Sequence, residues 1–304
     1  MTDKPTRIFL DSDIGPDCDD TAALAILLQL CLEGRCELIG VTHCTGSPYG
    51  LATIDSICRR FGIEVPLGTC MDRDFLSTGP ALRYTVAVHD SFPHSWPVSR
   101  PQPDCVQTLI KALEKEQDDS VTMVAIGPLN NLARFLQDPV AGKLMHSKVQ
   151  RLVLMAGAFE IPEHVEWNIE MDVPAARIVV SEWKDTILWA PFESMMNVNV
   201  GECLRGKDNP VAMAYRLFTE GNMLRPAWDL ECVACAVLGA EVPYAWSSQG
   251  TVSLDEKGIT TFTPDQNGKH RYLRLTGSKE EAAEKLEALL ARAVATIDKR
   301  KDVS

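Results

Sequence analysis

The sequence predicts an α/β fold: a single Rossmann-like domain with a largely parallel central sheet, helices on both faces and a small antiparallel C-terminal hairpin. Two features carry this expectation. Short apolar runs alternate with longer helical patterns through the first two thirds of the chain, and towards the end the spacing shortens to strands separated by turn dipeptides.

Residues 7–11, Arg-Ile-Phe-Leu-Asp, read as a buried strand, with a helix over 21–32 behind it. A second strand is expected at 37–42, followed by a helix over 51–61. Further strands are predicted at 121–126, 151–155 and 186–190, flanked by helical patterns over 105–116 and 173–183. Near the end, 251–254, 259–263 and 270–275 read as antiparallel strands with turns at Lys257-Gly258 and Asn267-Gly268. Ser278 and Glu281 then form a capping box ahead of a last helix, whose apolar face carries Ala282, Leu286, Leu289, Leu290, Ala293 and Ile297. No repeat, low-complexity tract or Gly/Ser linker divides the chain, so residues 1–304 are expected to form one domain with the hairpin as an appendage. The stretch 71–103, with several prolines, His89, His94 and Trp96, reads as a long loop, either a binding loop or a plain surface excursion.

Composition narrows the function classes. With 304 residues, 45% of them hydrophobic, the chain can bury a core without disulfide staples. A formal net charge of -12 and the lack of a dense Lys/Arg run argue against a nucleic-acid backbone as main partner. A small anionic or nucleoside ligand stays open, because a site is local. Residues 1–7 are polar and lead directly into the first strand. No apolar run approaches the roughly 18 residues of a membrane helix, so no membrane partner is expected and the cytoplasm is the expected compartment. The ten scattered cysteines are then expected to be reduced, mostly core residues. Cys232 and Cys235 form a C-x-x-C pair, but it lies inside an apolar helical pattern and lacks two further zinc ligands, so packing is the expected role.

The sharpest feature is Asp11-Ser12-Asp13-Ile14-Gly15-Pro16-Asp17-Cys18-Asp19-Asp20, five carboxylates within ten residues at the end of the first strand. Ligands bind at that end of open α/β sheets. Carboxylates this crowded raise one another's pKa unless a cation relieves them. An all-oxygen set without His selects a hard ion, Ca²⁺ or Mg²⁺ rather than Zn²⁺. Capping of the following helix would account for Asp19 and Asp20 alone. It leaves Asp11 and Asp13 unexplained.

This loop resembles the opening of the inosine–uridine-preferring nucleoside hydrolase family, and the resemblance recurs along the chain. The run Ala125-Ile126-Gly127-Pro128-Leu129-Asn130-Asn131-Leu132-Ala133 is similar to the family's Gly-Pro-Leu-Thr-Asn segment. Glu166-Trp167-Asn168, with Asp172 and Ala175-Ala176 after it, resembles its Glu-Phe-Asn segment, and Trp228-Asp229 its late metal-binding segment. The resemblance implies Ca²⁺-dependent hydrolysis of the N-glycosidic bond of a ribonucleoside to base and ribose. It implies metal ligands at Asp13, Asp20, Asp229 and the backbone carbonyl of Asn130, with Asp13 as general base on a metal-activated water. Asp19, Glu166 and Asn168 would bind ribose hydroxyls, and Asp11 would stand behind the metal. Asp17 falls in an extension of the loop and receives no role. A homodimer or homotetramer is also implied.

Such a set suits the chemistry, because cleavage develops positive charge on the sugar, which oxygen-rich side chains stabilise. Three positions depart from the family. Trp228 stands where the inosine–uridine type carries a His, which resembles purine-preferring members and suggests a base-stacking ring. The segment 155–166 is short and lacks a Gly-Asn pair, and Gly46-Ser47 stands where another Gly-Asn is expected. Both changes remove amides that would hold the sugar. Two rival readings remain. Asp11-Ser12-Asp13 also resembles a haloacid-dehalogenase-type, Mg²⁺-dependent phosphatase, although that leaves Glu166 and Asp229 without a role. A non-catalytic nucleoside- or sugar-binding protein on the same fold is the other.

Overall fold

The structure, a computed structural model, describes residues 5–241 and 243–300. The polar start read at residues 1–4 lies outside the described residues. The chain runs β1 (Thr6–Ser12), α1 (Asp19–Leu32), β2 (Cys36–His43), α2 (Gly50–Phe61), β3 (Leu67–Thr69), α3 (Thr85–Ser91), α4 (Cys105–Leu113) and β4 (Val121–Ala125). It continues through α5 (Asn130–Gln137), α6 (Pro139–Lys148), β5 (Val149–Met155), α7 (Trp167–Met171), α8 (Val173–Glu182) and β6 (Thr186–Ala190). Next come α9 (Phe192–Met195), β7 (Asn199–Val200), α10 (Pro210–Phe218), β8 (Arg225–Pro226) and α11 (Trp228–Leu238). The last elements are β9 (Tyr244–Trp246), β10 (Gly250–Leu254), β11 (Thr260–Pro264), β12 (His270–Leu275) and α12 (Lys279–Lys299).

Strands β6-β5-β4-β1-β2-β3 pair parallel in that order. Strand β1 is central and separates two cores by its alternation. Ile8 and Leu10 face one core with residues of α1, α2, α11 and α12, and Phe9 faces the other with residues of α4, α5 and α8. Burial on both faces explains why these strands read as continuous apolar runs. The result is the expected single α/β domain with helices on both sides.

The C-terminal strands need one correction, to their attachment. Strands β10 and β11 form the expected antiparallel hairpin and β12 pairs antiparallel with β10 as expected, while β12 also runs parallel to β6 through His270, Arg271 and Tyr272. Its second half pairs antiparallel with β9. The hairpin therefore extends the main sheet instead of hanging from it, since an open β6 edge supplies backbone partners that no local signal announces. The capping box at Ser278 and Glu281 is formed, and the predicted face of α12 is buried.

The stretch 71–103 is not a plain loop. A 3₁₀ turn at Gly79–Leu82 leads into α3, and Tyr84 and Val88 are fully buried against the α1–α2 side of the core. Helices α6 and α10 were not placed by the sequence reading, yet each has a side-chain cap, Asp138 on Val140 and Ala141, and Asn209 on Ala212. All ten cysteines are free thiols, and Cys232 and Cys235 are buried within α11. No helix among the described residues is long and apolar enough to cross a membrane.

Candidate active site

The acidic loop leaves the carboxyl end of β1 and turns into α1. Gly15 makes this turn with φ +147, and a Cβ there would lie 2.9 Å from the Ala81 carbonyl oxygen. Glycine is thus required both by conformation and by the close approach of the 3₁₀ turn. Asp19 and Asp20 then open α1, whose N-terminal dipole favours their charge.

Three carboxylates, Asp19, Asp20 and Asp229, have oxygens within 4.8 Å of one another, and all three are buried. Asp229 comes from the first turn of α11, and its backbone N–H donates to Asp19 Oδ2 at 3.2 Å, tying the two helix starts together. Ser12 Oγ donates to Asp20 Oδ1 at 2.6 Å. Asp13, also buried, lies against Asp20 but outside that group of three, in which Asp19 takes the place the sequence reading gave to Asp13. Burial, then mutual repulsion, raises Asp13, Asp19 and Asp229 well above the ordinary carboxylate range, and burial lifts Asp20 to about 7. Four buried carboxylates with no Lys or His among them fit a hard divalent cation, whose charge would offset the repulsion.

Asp11 stands one layer down. Its Oδ1 accepts from Thr42 Oγ1 and from Asn131 Nδ2, the latter at 2.8 Å, while burial pushes it up to about 7. Asn130, at the start of α5, donates its Nδ2 to the Cys44 carbonyl at 2.9 Å, and its Oδ1 is buried without a partner.

Above the carboxylates opens a cavity of about 430 Å³, within the usual range for small-molecule sites. Asp13, Asp19, Asp20 and Asp229 line its acidic part, with Ile126 and Met155 from the carboxyl ends of β4 and β5. Glu166 caps α7, accepting from Asn168 N at 2.8 Å and Ile169 N at 3.3 Å, and takes a third bond from Gly157 N at 3.2 Å. Burial still outweighs those donors and raises it to about 7. Asn168 lines the same wall and is fixed by an Nδ2 bond to the Met155 carbonyl at 2.9 Å.

Aromatic rings close the other side. Trp228 stacks on Phe192 with centroids 5.4 Å apart and an interplanar angle of 21°, and its Nε1 donates to the Phe192 carbonyl at 2.9 Å. Trp167, Phe192 and Phe218 line the cavity as well.

The cavity thus gathers Asp13, Asp19, Asp20, Glu166, Asn168, Trp228 and Asp229. Asp11 and Asn130 do not line it. Of the long stretch after β3, Pro80 and Arg83 reach the cavity, whereas His89, His94 and Trp96 do not line it. His89 packs on His94 at 4.4 Å, and Trp96 lies under Arg100 at 4.2 Å. Sequence reasoning missed Arg83, Phe192, Phe218, Arg225 and the Asn131 support of Asp11. Asn131 stood inside a motif already singled out; the rest carry no local signal.

The fold is that of the nucleoside hydrolases. The chain belongs to the inosine-uridine preferring nucleoside hydrolase family, whose model matches residues 8–238. An uncharacterized protein of Schizosaccharomyces pombe is 26% identical over 281 residues, 82% of this chain and 81% of that protein. The pyrimidine-specific ribonucleoside hydrolase RihB of Escherichia coli is 27% identical over 188 residues, 57% of this chain and 55% of RihB. Among solved structures, the purine-preferring ribonucleoside hydrolase from Gardnerella vaginalis superposes with a TM-score of 0.74 at 18% identity, covering 97% of this chain and 100% of that one. The plant nucleoside hydrolase PpNRh1 gives 0.70 at 20% identity, over 95% and 99%. At such identities these two are likenesses of fold.

Proposed function

We propose that the protein is a Ca²⁺-dependent purine-preferring ribonucleoside hydrolase that splits the N-glycosidic bond to free base and ribose. The buried carboxylate cluster at the floor of the cavity carries this reading. Asp13, Asp20, Asp229 and the backbone carbonyl of Asn130 would hold the cation. Bound there, Ca²⁺ would lower the pKa of the attacking water and orient the ribose hydroxyls. Asp13, buried beside Asp20, would then serve as the base for that water. Asp19, Glu166 and Asn168 accept from or donate to the ribose hydroxyls and surround the sugar with oxygen as positive charge develops on it. Asp11, held by Thr42 and Asn131, backs the floor. Trp228, fixed by Phe192, offers a ring on which a purine stacks. The nucleoside is the expected partner, in a cytoplasmic homodimer or homotetramer.

The test is release of reducing sugar from a panel of purine and pyrimidine nucleosides, with Ca²⁺ and with a chelator, alongside Asp13→Asn. Metal-dependent release that favours purines and is lost in the variant is expected. No release from any nucleoside while Ca²⁺ still binds would instead support a binding protein or an altered sugar.

A further inference from the structure

Helix α1 ends in a glycine turn. Gly34, at φ +70, donates its N–H to the Cys31 carbonyl at 3.0 Å, and Arg35 donates to that of Leu30 at 3.0 Å. The turn sends the chain straight back into β2, so Cys31 in the last turn of the helix meets Cys36, the first residue of the strand. Their sulfurs stand 3.4 Å apart. A bond between them needs that gap to close by about 1.4 Å, within the reach of side-chain torsions. Residues Leu32, Glu33, Gly34 and Arg35 are exposed, Cys31 is half-buried and Cys36 is buried, so a small oxidant meets Cys31 first.

The two thiols differ in chemistry from each other and from the rest. The hydrogen bond from Cys36, aided by the Leu38 N–H, outweighs burial and lowers Cys31 below the ordinary thiol range. The same bond, together with burial, raises Cys36. The eight other thiols are raised, and burial is the largest cause in each. Cys31 is thus the one cysteine of ten whose thiolate the fold favours. The residue that favours it also stands where an oxidised Cys31 would be attacked.

We propose that Cys31 and Cys36 form an oxidant-sensitive thiol pair, in which Cys31 reacts with a hydroperoxide and Cys36 resolves the product into a disulfide. The Cys31 sulfur takes one peroxide oxygen as the O–O bond breaks, which leaves a sulfenic acid and, from hydrogen peroxide, water. The Cys36 sulfur then attacks Cys31; the S–S bond forms, the S–O bond breaks, and the hydroxyl leaves as water with the Cys36 proton. The two thiols lose two electrons and the peroxide gains them. The pair stands apart from the hydrolase reading, which uses neither residue. Its link to the cavity is through the framework: α1 begins with Asp19 and Asp20, and β2 carries Thr42, which holds Asp11.

The experiment treats the reduced full chain with hydrogen peroxide, alkylates the remaining thiols and maps tryptic peptides without reduction. Cleavage after Arg35 separates the two cysteines, so a disulfide joins two peptides that dithiothreitol parts again. Cys31 should be consumed about tenfold or more ahead of the eight other thiols. In Cys36→Ser, Cys31 should stop at a sulfenic acid that dimedone traps; in Cys31→Ser, Cys36 should stay alkylatable. The wild-type map decides the pairing without either variant. The proposal is overturned if Cys31 is not consumed first, if the link joins any other two cysteines, or if Cys36→Ser yields no trapped sulfenic acid.

Discussion

The Asp17 carboxylate and the Arg225 guanidinium form an ion pair across the mouth of the cavity, Nε standing 3.0 Å from both oxygens. Arg225 also lies 5.2 Å from the centroid of Trp228, so one side chain pairs with Asp17 of the acidic loop and braces the aromatic wall. The loop end is further tied down by Tyr84, whose hydroxyl donates to the Asp17 carbonyl at 2.7 Å.

Removing one partner leaves the other charge half-buried and alone. Arg225→Ala should cost roughly 1–2 kcal/mol of stability, between the values for exposed and buried pairs, and lower kcat/KM about tenfold. Adding Asp17→Asn should recover part of both losses, and the double-mutant cycle measures how much. Additive losses would mean that the pair does not act as a unit.

Burial sets a pH dependence of stability with an unusual sign. Asp11, Asp20 and Glu166 all have folded pKa values raised to about 7, above the unfolded carboxylate value. A raised pKa adds stability that is complete below about pH 4 and lost as pH rises through about 7. Chelator-treated protein should accordingly melt lower at pH 8 than at pH 5. Ca²⁺ at about 100 times its dissociation constant should restore roughly 2.7 kcal/mol, about 5 °C or more, at pH 8. Melting curves that ignore both pH and Ca²⁺ would contradict the cation site.

Gly127 controls the position of Asp13. A Cβ at 127 would lie 2.8 Å from Asp13 Oδ1 and 2.8 Å from Cys44 Sγ, and both neighbours are buried. Gly127→Ala should displace the carboxylate and lower kcat about 100-fold, the scale of a 1 Å misplacement. A kcat within twofold of wild type would uncouple the position of Asp13 from turnover.

Trp228→Ala should reduce kcat/KM on purine nucleosides about tenfold more than on pyrimidine ones, the scale of a lost stacking contact. Trp228→Phe keeps a ring but loses the bond to the Phe192 carbonyl, and should fall between. Equal losses on both base classes would remove the purine preference.

The acidic floor was legible because its evidence is local: Asp11, Asp13, Asp19 and Asp20 share one loop, and a strand that ends in carboxylates asks for a cation. Asp229, Glu166 and Asn168 were reachable only through the family resemblance, since each is brought in by an element distant in sequence. Arg225, Arg83 and Phe218 stayed hidden for a physical reason. Their roles are pairings across the cavity, between segments whose own composition is unremarkable. The same holds for β12, whose parallel alignment with β6 depends on which edge was left open, and for β3, which is too short for a periodic signal.

The two margins of the sheet bear on how copies of the chain meet. Strand β3 is three residues long and is crossed at its end by a bridge from Thr69 to Asp104, and β11 stops at Pro264, which has no N–H to offer. Neither margin presents a long ladder for a neighbouring strand to extend. Crowded molecules therefore find little at these two margins on which to stack into a fibre.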